Sequence, residues 1–349
     1  MSIQIHKGRV LAGSDFDLQP VIIRDGLIET SDTCQADLTL DAAGLMVLPG
    51  IVDIYGDAFE RQIEPRSGVQ FALALAETDR QLVANGITTA CHAVTCSWEP
   101  GPRSLENAQR LLEALCHHAQ TLSAEHRFHL RHEIFNLDAP SLSLDRVASG
   151  RLNALAFNDD MDDLTHNISR RSAKLGRMIK RTGLTPADDA ARLERVTARR
   201  RECPASLARI AEAAGEHVIF GAPNVVRGGS QNMGCPDAGA MVASRLCTIL
   251  ASDYFYPAMP QAVFTLVRNH ALTLAEAWNL ISAHPADALG LQDRGAIAPG
   301  KRADLVLARM SGLGIEVLAT IAKGELVYLT DARLISSAAS HDVPARRAA

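Results

Sequence analysis

The stretch that decides the fold is LPGIVDIYGD, residues 48–57. Pro49 and Gly50 end a loop, the apolar residues after them predict a buried strand, and Gly56 permits a turn at which Asp57 emerges. In a (β/α) barrel, side chains at the C-terminal ends of the strands face the mouth of the active site. We therefore expect Asp57 to be a functional carboxylate, and the alternative is an ordinary loop carboxylate.

Composition places the chain among soluble globular proteins. It has 349 residues, 47% hydrophobic residues and a net charge of -5, and it contains no apolar run long enough to cross a membrane. Seven cysteines without a C-x-x-C pair predict free thiols in a reducing compartment rather than disulfides or a structural zinc site. We therefore expect a cytoplasmic protein that binds neither nucleic acid nor a membrane.

The middle of the chain alternates between strand and helix patterns, which predicts parallel strands joined by crossover helices. The predicted strands are 51–55, 87–94, 127–134, 153–158, 218–223 and 248–252, and the predicted helices are 73–84, 105–122, 261–269 and a pair within 274–289. A complete (β/α)₈ barrel needs eight strands, whereas we find six and no strand pattern in 160–217. The sequence predicts an α/β fold with an incomplete barrel, whose exposed edges favour a homo-oligomer.

Short strands at both ends of the chain predict a second, smaller structure. Near the amino terminus they span 2–10, 21–24 and 27–28, with Asp25-Gly26 as a hairpin turn, and near the carboxyl terminus they lie within 295–328. Neither group is long enough to close a core alone, so we expect one composite β-sandwich. The predicted domains are 1–49 and 290–330 for the sandwich, 50–289 for the barrel and 331–349 for a flexible tail.

Carboxylates follow four of the predicted barrel strands, namely Asp57, Glu133, Asp159 or Asp160, and Asp253. Clustered carboxylates repel one another unless a cation or shared protons hold them, which indicates a divalent metal site. Oxygen ligands favour Mg²⁺ or Mn²⁺ over Zn²⁺. For Arg131 and Glu133, the alternative is a structural ion pair across strands. His92 and His129 also have positions suited to ligands, but we expect each to satisfy a local hydrogen bond.

An anion site is predicted where the strand at 218–223 runs into the loop at 224–230. Two glycines beside an arginine can expose N–H groups to an anion, and Arg227 can bind phosphate with two hydrogen bonds. Glycine pairs are also common in plain loops, which leaves that alternative open. The predicted substrate-binding residues are Asn224, Arg227, Gly228, Gly229, Ser230 and Arg131.

Several strings resemble one known family. They are LPGIVDIYGDAFERQIEPR at 48–66, ANGITTACHAVTCSWEPG at 84–101, HRFHLRHEIFNLDA at 126–139, GAPNVVRGGS at 221–230, LASDYFYPA at 250–258 and DRGAIAPGKRADLVLA at 293–308. These strings are similar to those of the PhnM family of the amidohydrolase superfamily. The resemblance implies an amidohydrolase-like barrel and a metal-dependent diphosphatase. Its substrate would be α-D-ribose 1-methylphosphonate 5-triphosphate, in the carbon–phosphorus lyase pathway of phosphonate catabolism.

The chain also departs from this family. Tyr55 and Asp160 stand where the resemblance implies metal-ligand histidines, Gln231 replaces a third histidine, and two βα units are missing before residue 218. By resemblance, Asp57, Glu133, Asp160 and Asp253 would hold a Mg, Mn or Zn ion. Asp253 would be the general base, with Glu133 as a second catalytic residue.

Three hypotheses follow for the function. The first is a hydrolase that retains the family reaction. The second is a catalytically silent PhnM-like homologue that binds a ligand or a partner subunit. The third is a deletion product without a stable fold. A bound metal distinguishes the first from the other two, because the family reaction requires it.

Overall fold

A computed structural model gives the architecture. It describes residues 1–29, 36–61, 71–133, 135–137, 153–158, 176–180, 182–199, 219–229 and 237–336. The chain forms two compact units, which are 1–52 with 83–88 and 263–349, and 53–82 with 89–262. The domain boundaries given by the sequence analysis stay a prediction.

The first unit contains two sheets built from both ends of the chain. Their strands are β1 Ser2–His6, β2 Arg9–Ala12, β3 Asp15–Asp17, β4 Val21–Arg24, β5 Leu27–Glu29, β6 Leu38–Asp41, β7 Met46–Pro49, β14 Leu305–Ser311, β15 Gly314–Ala322, β16 Glu325–Leu329 and β17 Ile335–Ser336. One sheet has the order β17-β6-β1-β4-β5, and the other has the order β16-β15-β14-β7-β2-β3. The antiparallel pairing of β7 with β14 joins the two chain ends in one sheet. This is the predicted composite sandwich.

The core between these sheets is aliphatic. Ile3, Ile23, Leu40, Leu305 and Ile321 belong to one buried cluster to which both sheets contribute. Alternating residues supply these side chains, as expected for sheets with one buried face.

Close contacts within the first unit hold Pro49 and Gly50, at the start of the stretch 48–57. The Gly50 N–H donates to the Asp304 carbonyl at 2.7 Å, and the fully buried Trp278 donates its indole N–H to the Pro49 carbonyl at 2.9 Å. A Cβ on Gly50 would lie 2.4 Å from the hydroxyl oxygen of Thr88. Only glycine fits at this position.

The described residues of the middle of the chain contain six parallel strands, which are β8 Ile51–Gly56, β9 Ile87–Cys96, β10 Glu125–Glu133, β11 Ala154–Asn158, β12 Ile219–Gly221 and β13 Ile249–Ala251. Four of them form a sheet in the order β11-β10-β9-β8, and β12 pairs with β13 in parallel. A parallel bridge between Gly56 and Asp253 connects the end of β8 to the residues after β13. This order is that of a partial (β/α) barrel, and it confirms the predicted fold class.

The described helices are α1 Phe71–Ala84, α2 Leu105–His118, α3 Pro186–Ala198, α4 Ala222–Arg227, α5 Ala238–Ala243, α6 Ala258–Arg268, α7 Leu274–Asn279 and α8 Ala283–Ala288. Between Asn158 and Ile219 the structure describes 176–180 and 182–199, and these residues contain helix but no strand. None of the helices in the described ranges is both long enough and apolar enough to span a membrane.

Three predicted elements differ from the structure. The strand predicted at 2–10 is interrupted at Lys7, whose positive φ of 63° separates β1 from β2. The strand predicted at 218–223 ends at Gly221, because Ala222 and Pro223 begin α4 with proline in the first turn, where its missing N–H costs nothing. The tail predicted from 331 contains a short strand, since Ile335–Ser336 forms β17 and pairs with β6.

Candidate functional site

Asp57 and Asp253 lie side by side at the ends of two neighbouring strands. The Asp57 N–H donates to the Asp253 carbonyl at 2.8 Å, and the Asp253 N–H donates to the Tyr55 carbonyl at 3.0 Å. Burial, together with the nearby Asp57 carboxylate, raises the pKa of Asp253 to about 6. The structure thus brings together two carboxylates predicted 196 positions apart in the sequence.

Arg131 supplies positive charge to this pair. Its guanidinium lies 3.3 Å from an Asp57 carboxylate oxygen and 5.3 Å from the centre of the Tyr55 ring. Burial raises the pKa of Tyr55 above its ordinary value, so this side chain is a neutral phenol at physiological pH. A neutral phenol is a poor replacement for a histidine that ligates a metal.

The backbone around Asp253 leaves little free space. Asp253 has a φ of 55°, in the left-handed region that side chains rarely adopt. A Cβ on Gly221 would lie 3.1 Å from a carboxylate oxygen of Asp253, and a Cβ on Gly56 would lie 2.7 Å from a carboxylate oxygen of Asp53. The two glycines therefore make room for two carboxylates.

Asp53 and Ser252 form a buried pair that the sequence analysis missed. The Ser252 hydroxyl donates to one carboxylate oxygen of Asp53 at 2.6 Å, and the Ser252 N–H donates to the other at 3.0 Å. Asp53 is fully buried, and burial raises its pKa to about 6 in spite of these hydrogen bonds. The one signal in the sequence was a charged residue in the middle of an apolar strand.

Glu133 ends β10 and is buried, with 2% of its surface exposed. One of its carboxylate oxygens accepts the Phe135 N–H at 2.9 Å, which fixes the turn after the strand. Arg131 precedes it by two residues and so lies on the same strand face. Whether Glu133 acts in catalysis stays a prediction.

Two histidines make the local hydrogen bonds that we expected. The Nδ1 of His129 is 2.7 Å from the Ile54 carbonyl, and the Nε2 of His92 is 2.8 Å from the Nδ1 of His126. Burial lowers the pKa of His129 to about 4. The ring is therefore neutral at physiological pH.

The glycine pair predicted to bind an anion ends a helix instead. The N–H groups of Gly228 and Gly229 donate to the carbonyls of Val225 and Asn224, and Gly228 has a φ of 76°, as in many helix ends. The structure thus gives both N–H groups a partner within the helix, so the predicted anion site depends on the side chains.

Arg227 is the side chain that remains for anion binding at this loop. Its guanidinium is exposed and donates to the Asn224 side-chain oxygen at 2.5 Å and to the Tyr254 hydroxyl. Ser230, the last member of the predicted loop, lies outside the described residues. The substrate-binding role of this loop stays a prediction.

The described residues alone do not fit a metal ion. Among them, no three His, Cys, Asp or Glu side chains are placed to hold one. Arg131 already lies beside Asp57, and Asp160, a member of the predicted ligand set, falls outside the described residues. The metal prediction therefore depends on a residue that the described geometry does not include.

Comparison with known proteins gives sequence relatives. A model of the Amidohydrolase family matches residues 159–328. Alpha-D-ribose 1-methylphosphonate 5-triphosphate diphosphatase of Escherichia coli K12 is 28% identical over 360 residues, which cover 88% of this chain and 95% of that protein.

Solved structures with the same fold are less similar in sequence. A β-aspartyl dipeptidase from Fervidobacterium islandicum AW-1 has a TM-score of 0.58 at 16% identity, over 94% of this chain and 97% of its own. A zinc-bound adenosine deaminase from Xanthomonas campestris has a TM-score of 0.59 at 16% identity, over 94% and 93%. L-hydantoinase from Arthrobacter aurescens has a TM-score of 0.56 at 14% identity, over 94% and 96%.

These structures establish the fold alone, since their identity to this chain is low. The PhnM-like strings, the family match and the Escherichia coli relative agree with that fold. This chain is similar in sequence to a PhnM-like amidohydrolase, through the family match at 159–328 and the 28% identical Escherichia coli relative.

Proposed function

We propose that the chain is a hydrolase that cleaves α-D-ribose 1-methylphosphonate 5-triphosphate to the 5-phosphate and pyrophosphate. The observation that carries this proposal is the Asp57 and Asp253 pair, in which burial and the neighbouring carboxylate raise the pKa of Asp253 to about 6. A carboxylate with a pKa near the working pH is suited to general base catalysis. The 28% identical Escherichia coli enzyme with this activity supports the substrate.

In the proposed reaction, Asp253 accepts a proton from water as the water attacks the triphosphate. The bond to the terminal pyrophosphate breaks, and the pyrophosphate leaves. Positive charge is needed near the phosphate oxygens, because negative charge accumulates there. Arg131 and the exposed Arg227 are the described cations near Asp253, and both lower its pKa.

The proposed ligands of a divalent metal are Asp57, Glu133, Asp160 and Asp253. When bound, such an ion would neutralise phosphate charge and activate water. The described residues do not complete this site, so we assign it no step.

A catalytically silent homologue is the second candidate. The ion pair between Arg131 and Asp57 favours it, because a guanidinium beside this carboxylate opposes the binding of a metal cation. Such a protein would bind the phosphorylated ligand without turnover.

The test is release of pyrophosphate from the proposed substrate by the purified protein, with Mg²⁺, Mn²⁺ and Zn²⁺ supplied in turn. We expect release that depends on the metal and falls at least about 100-fold in Asp253→Asn and in Glu133→Ala. Arg80→Gln is the control, since this exposed arginine lies on α1 and forms an ion pair with Glu77 at 3.2 Å. Binding without release by folded protein would favour the silent homologue.

A further inference from the structure

A cavity lies at the carboxyl ends of β9 and β10, and the candidate site described above does not include it. Its volume is about 540 Å³. Its lining includes Trp98, Glu99, Phe135, Arg192, Arg195 and Arg199. Ligands of parallel α/β sheets bind beyond the carboxyl ends of the strands, so the cavity is on the side of the sheet where a ligand is expected.

Three arginines on α3 and its C-terminal end form one wall. Arg192, Arg195 and Arg199 are three and four positions apart, a spacing that places them on the same face of a helix. Between them, Leu193 and Val196 belong to an apolar cluster with Phe135 and Trp98. All three arginines line the cavity beside this cluster.

The positions of the arginines differ in a way that suits an extended anion. Arg192 is half-buried and donates to the Trp98 carbonyl at 2.9 Å, which ties α3 to the residues after β9. Arg195 is exposed at the mouth of the cavity. Guanidinium groups bind phosphate through paired hydrogen bonds, and a row of them matches a chain of phosphates better than a single one.

A carboxylate also lines the cavity, and its negative charge would repel an anion that carries no metal ion. Glu99 is buried, with 7% of its surface exposed, and its N–H donates to the Ser97 hydroxyl at 3.3 Å. In proteins, Mg²⁺ is commonly bound by one or two carboxylates together with the phosphates of a ligand. A cavity lined by arginines and a glutamate is therefore suited to an oligophosphate that carries Mg²⁺.

We propose that this cavity binds an oligophosphate chain of two or more phosphates as its Mg²⁺ complex. Arg192 and Arg195 contact the phosphate oxygens, and Glu99 contacts the ion. The cavity is close to Glu133 along the chain, because Phe135 lines the cavity and donates to that carboxylate at 2.9 Å. A role in holding the triphosphate of the substrate rests on the proposed function, whereas binding of an oligophosphate does not.

Calorimetric titration of the full chain with inorganic tripolyphosphate, with and without Mg²⁺, tests the proposal. We expect binding that Mg²⁺ strengthens and that Arg195→Gln weakens at least about tenfold in both conditions. Since Arg195 is exposed, this variant keeps the fold. Arg80→Gln, on α1, should stay within about twofold of the parent. Glu99→Gln should remove the strengthening by Mg²⁺.

Four results would overturn the proposal. The first is that the folded protein does not bind tripolyphosphate, and the second is that Arg195→Gln and Arg80→Gln lose the same affinity for it. The third is that only Arg227→Gln loses affinity. The fourth is that Mg²⁺ still strengthens binding in folded Glu99→Gln. Titration with orthophosphate and with the ribose triphosphate distinguishes an oligophosphate site from a site for a single phosphate. The proposal requires that orthophosphate bind more weakly than either oligophosphate.

The outcome for this cavity is separable from the outcome for catalysis. Tripolyphosphate binding that depends on Arg195, without pyrophosphate release, would support the cavity site and contradict the proposed function. Pyrophosphate release with an unchanged KM in Arg195→Gln would support the proposed function and contradict a role of the cavity in holding the triphosphate of the substrate.

Discussion

The two ends of β8 are surrounded by opposite chemistry. At its start, backbone hydrogen bonds and the Trp278 indole hold Pro49 and Gly50 among buried groups of the first compact unit. At its end, Tyr55 and Asp57 lie among charged groups of the second unit. One strand thus serves both as an anchor and as a support for reactive groups. Substitutions at the start should change stability, and those at the end should change pKa values.

The largest expected effect is at Trp278. Replacing it by alanine removes a fully buried side chain and the donor to the Pro49 carbonyl, so we expect a loss of about 3–5 kcal/mol in the free energy of unfolding. Trp278→Phe keeps most of the apolar contact and should lose less. Urea denaturation measures both variants. Equal stability of the parent and Trp278→Ala would contradict the role of Trp278 in stabilising the start of β8.

Gly50 provides a second test of the anchor. Gly50→Ala would place a Cβ 2.4 Å from the Thr88 hydroxyl oxygen, so we expect a loss of about 1–3 kcal/mol from overpacking. Gly312→Ala is the matched control, because no atom lies within 4 Å of a Cβ there. If the two variants unfold at the same urea concentration, close packing at Gly50 is not a source of stability.

The anchor was largely predictable from the sequence, and the charged end was not. Pro49, Gly50 and the apolar run after them are local signals, and they predicted β8 to within one residue of its observed end. The partner of Asp53 is Ser252, 199 positions away, and no local pattern indicates such a contact. Periodicity reports which residues are buried, but it does not report what they meet.

The arginine cavity shows the same limit. The structure places α3 at Pro186–Ala198, inside the region 160–217 where the sequence shows no strand pattern. The spacing of its arginines was visible, but the packing of Leu193 against Phe135 was not. The structure was needed to show that these arginines line a cavity.

Ser252 tests the buried pair near the end of β8. Ser252→Ala removes the hydroxyl donor of the buried Asp53 carboxylate, and we expect a loss of about 1–3 kcal/mol at pH 8. Because the pKa of Asp53 is about 6, the carboxyl is increasingly protonated below that pH and depends less on a donor. The loss should therefore be smaller at pH 5, and a loss independent of pH would argue against an ionised Asp53 in the folded protein.

The raised pKa of Asp253 predicts how stability changes with pH. Its folded-state pKa of about 6 exceeds the ordinary value of 3.8, so the folded protein binds more protons between these values and this group lowers stability as the pH rises. Asp253→Asn should remove a penalty on the order of 1 kcal/mol above pH 6, after allowance for partial exposure. Unfolding of both proteins from pH 4 to 8 in metal-free buffer measures it.

Two buried histidines act on stability in the opposite direction. Burial lowers the pKa of His129 and of His132 to about 4, so the unfolded chain binds more protons below pH 6.5 and stability falls as the pH falls. This trend is common to the parent and Asp253→Asn, so the difference between the two proteins isolates the aspartate. A difference that does not grow between pH 4 and 6 would contradict the raised pKa.

The smallest effects should come from the charges around Asp253. Asp57→Asn removes a neighbouring negative charge and should lower the pKa of Asp253, whereas Arg131→Gln removes a positive charge and should raise it. NMR titration of the Asp253 carboxyl would give shifts of opposite sign, each about one pH unit or less, with changes in unfolding free energy of about 1 kcal/mol or less. Shifts of the same sign would mean that a change in burial, and not the two charges, sets the pKa of Asp253. The end of β8 would then be governed by burial, as its start is.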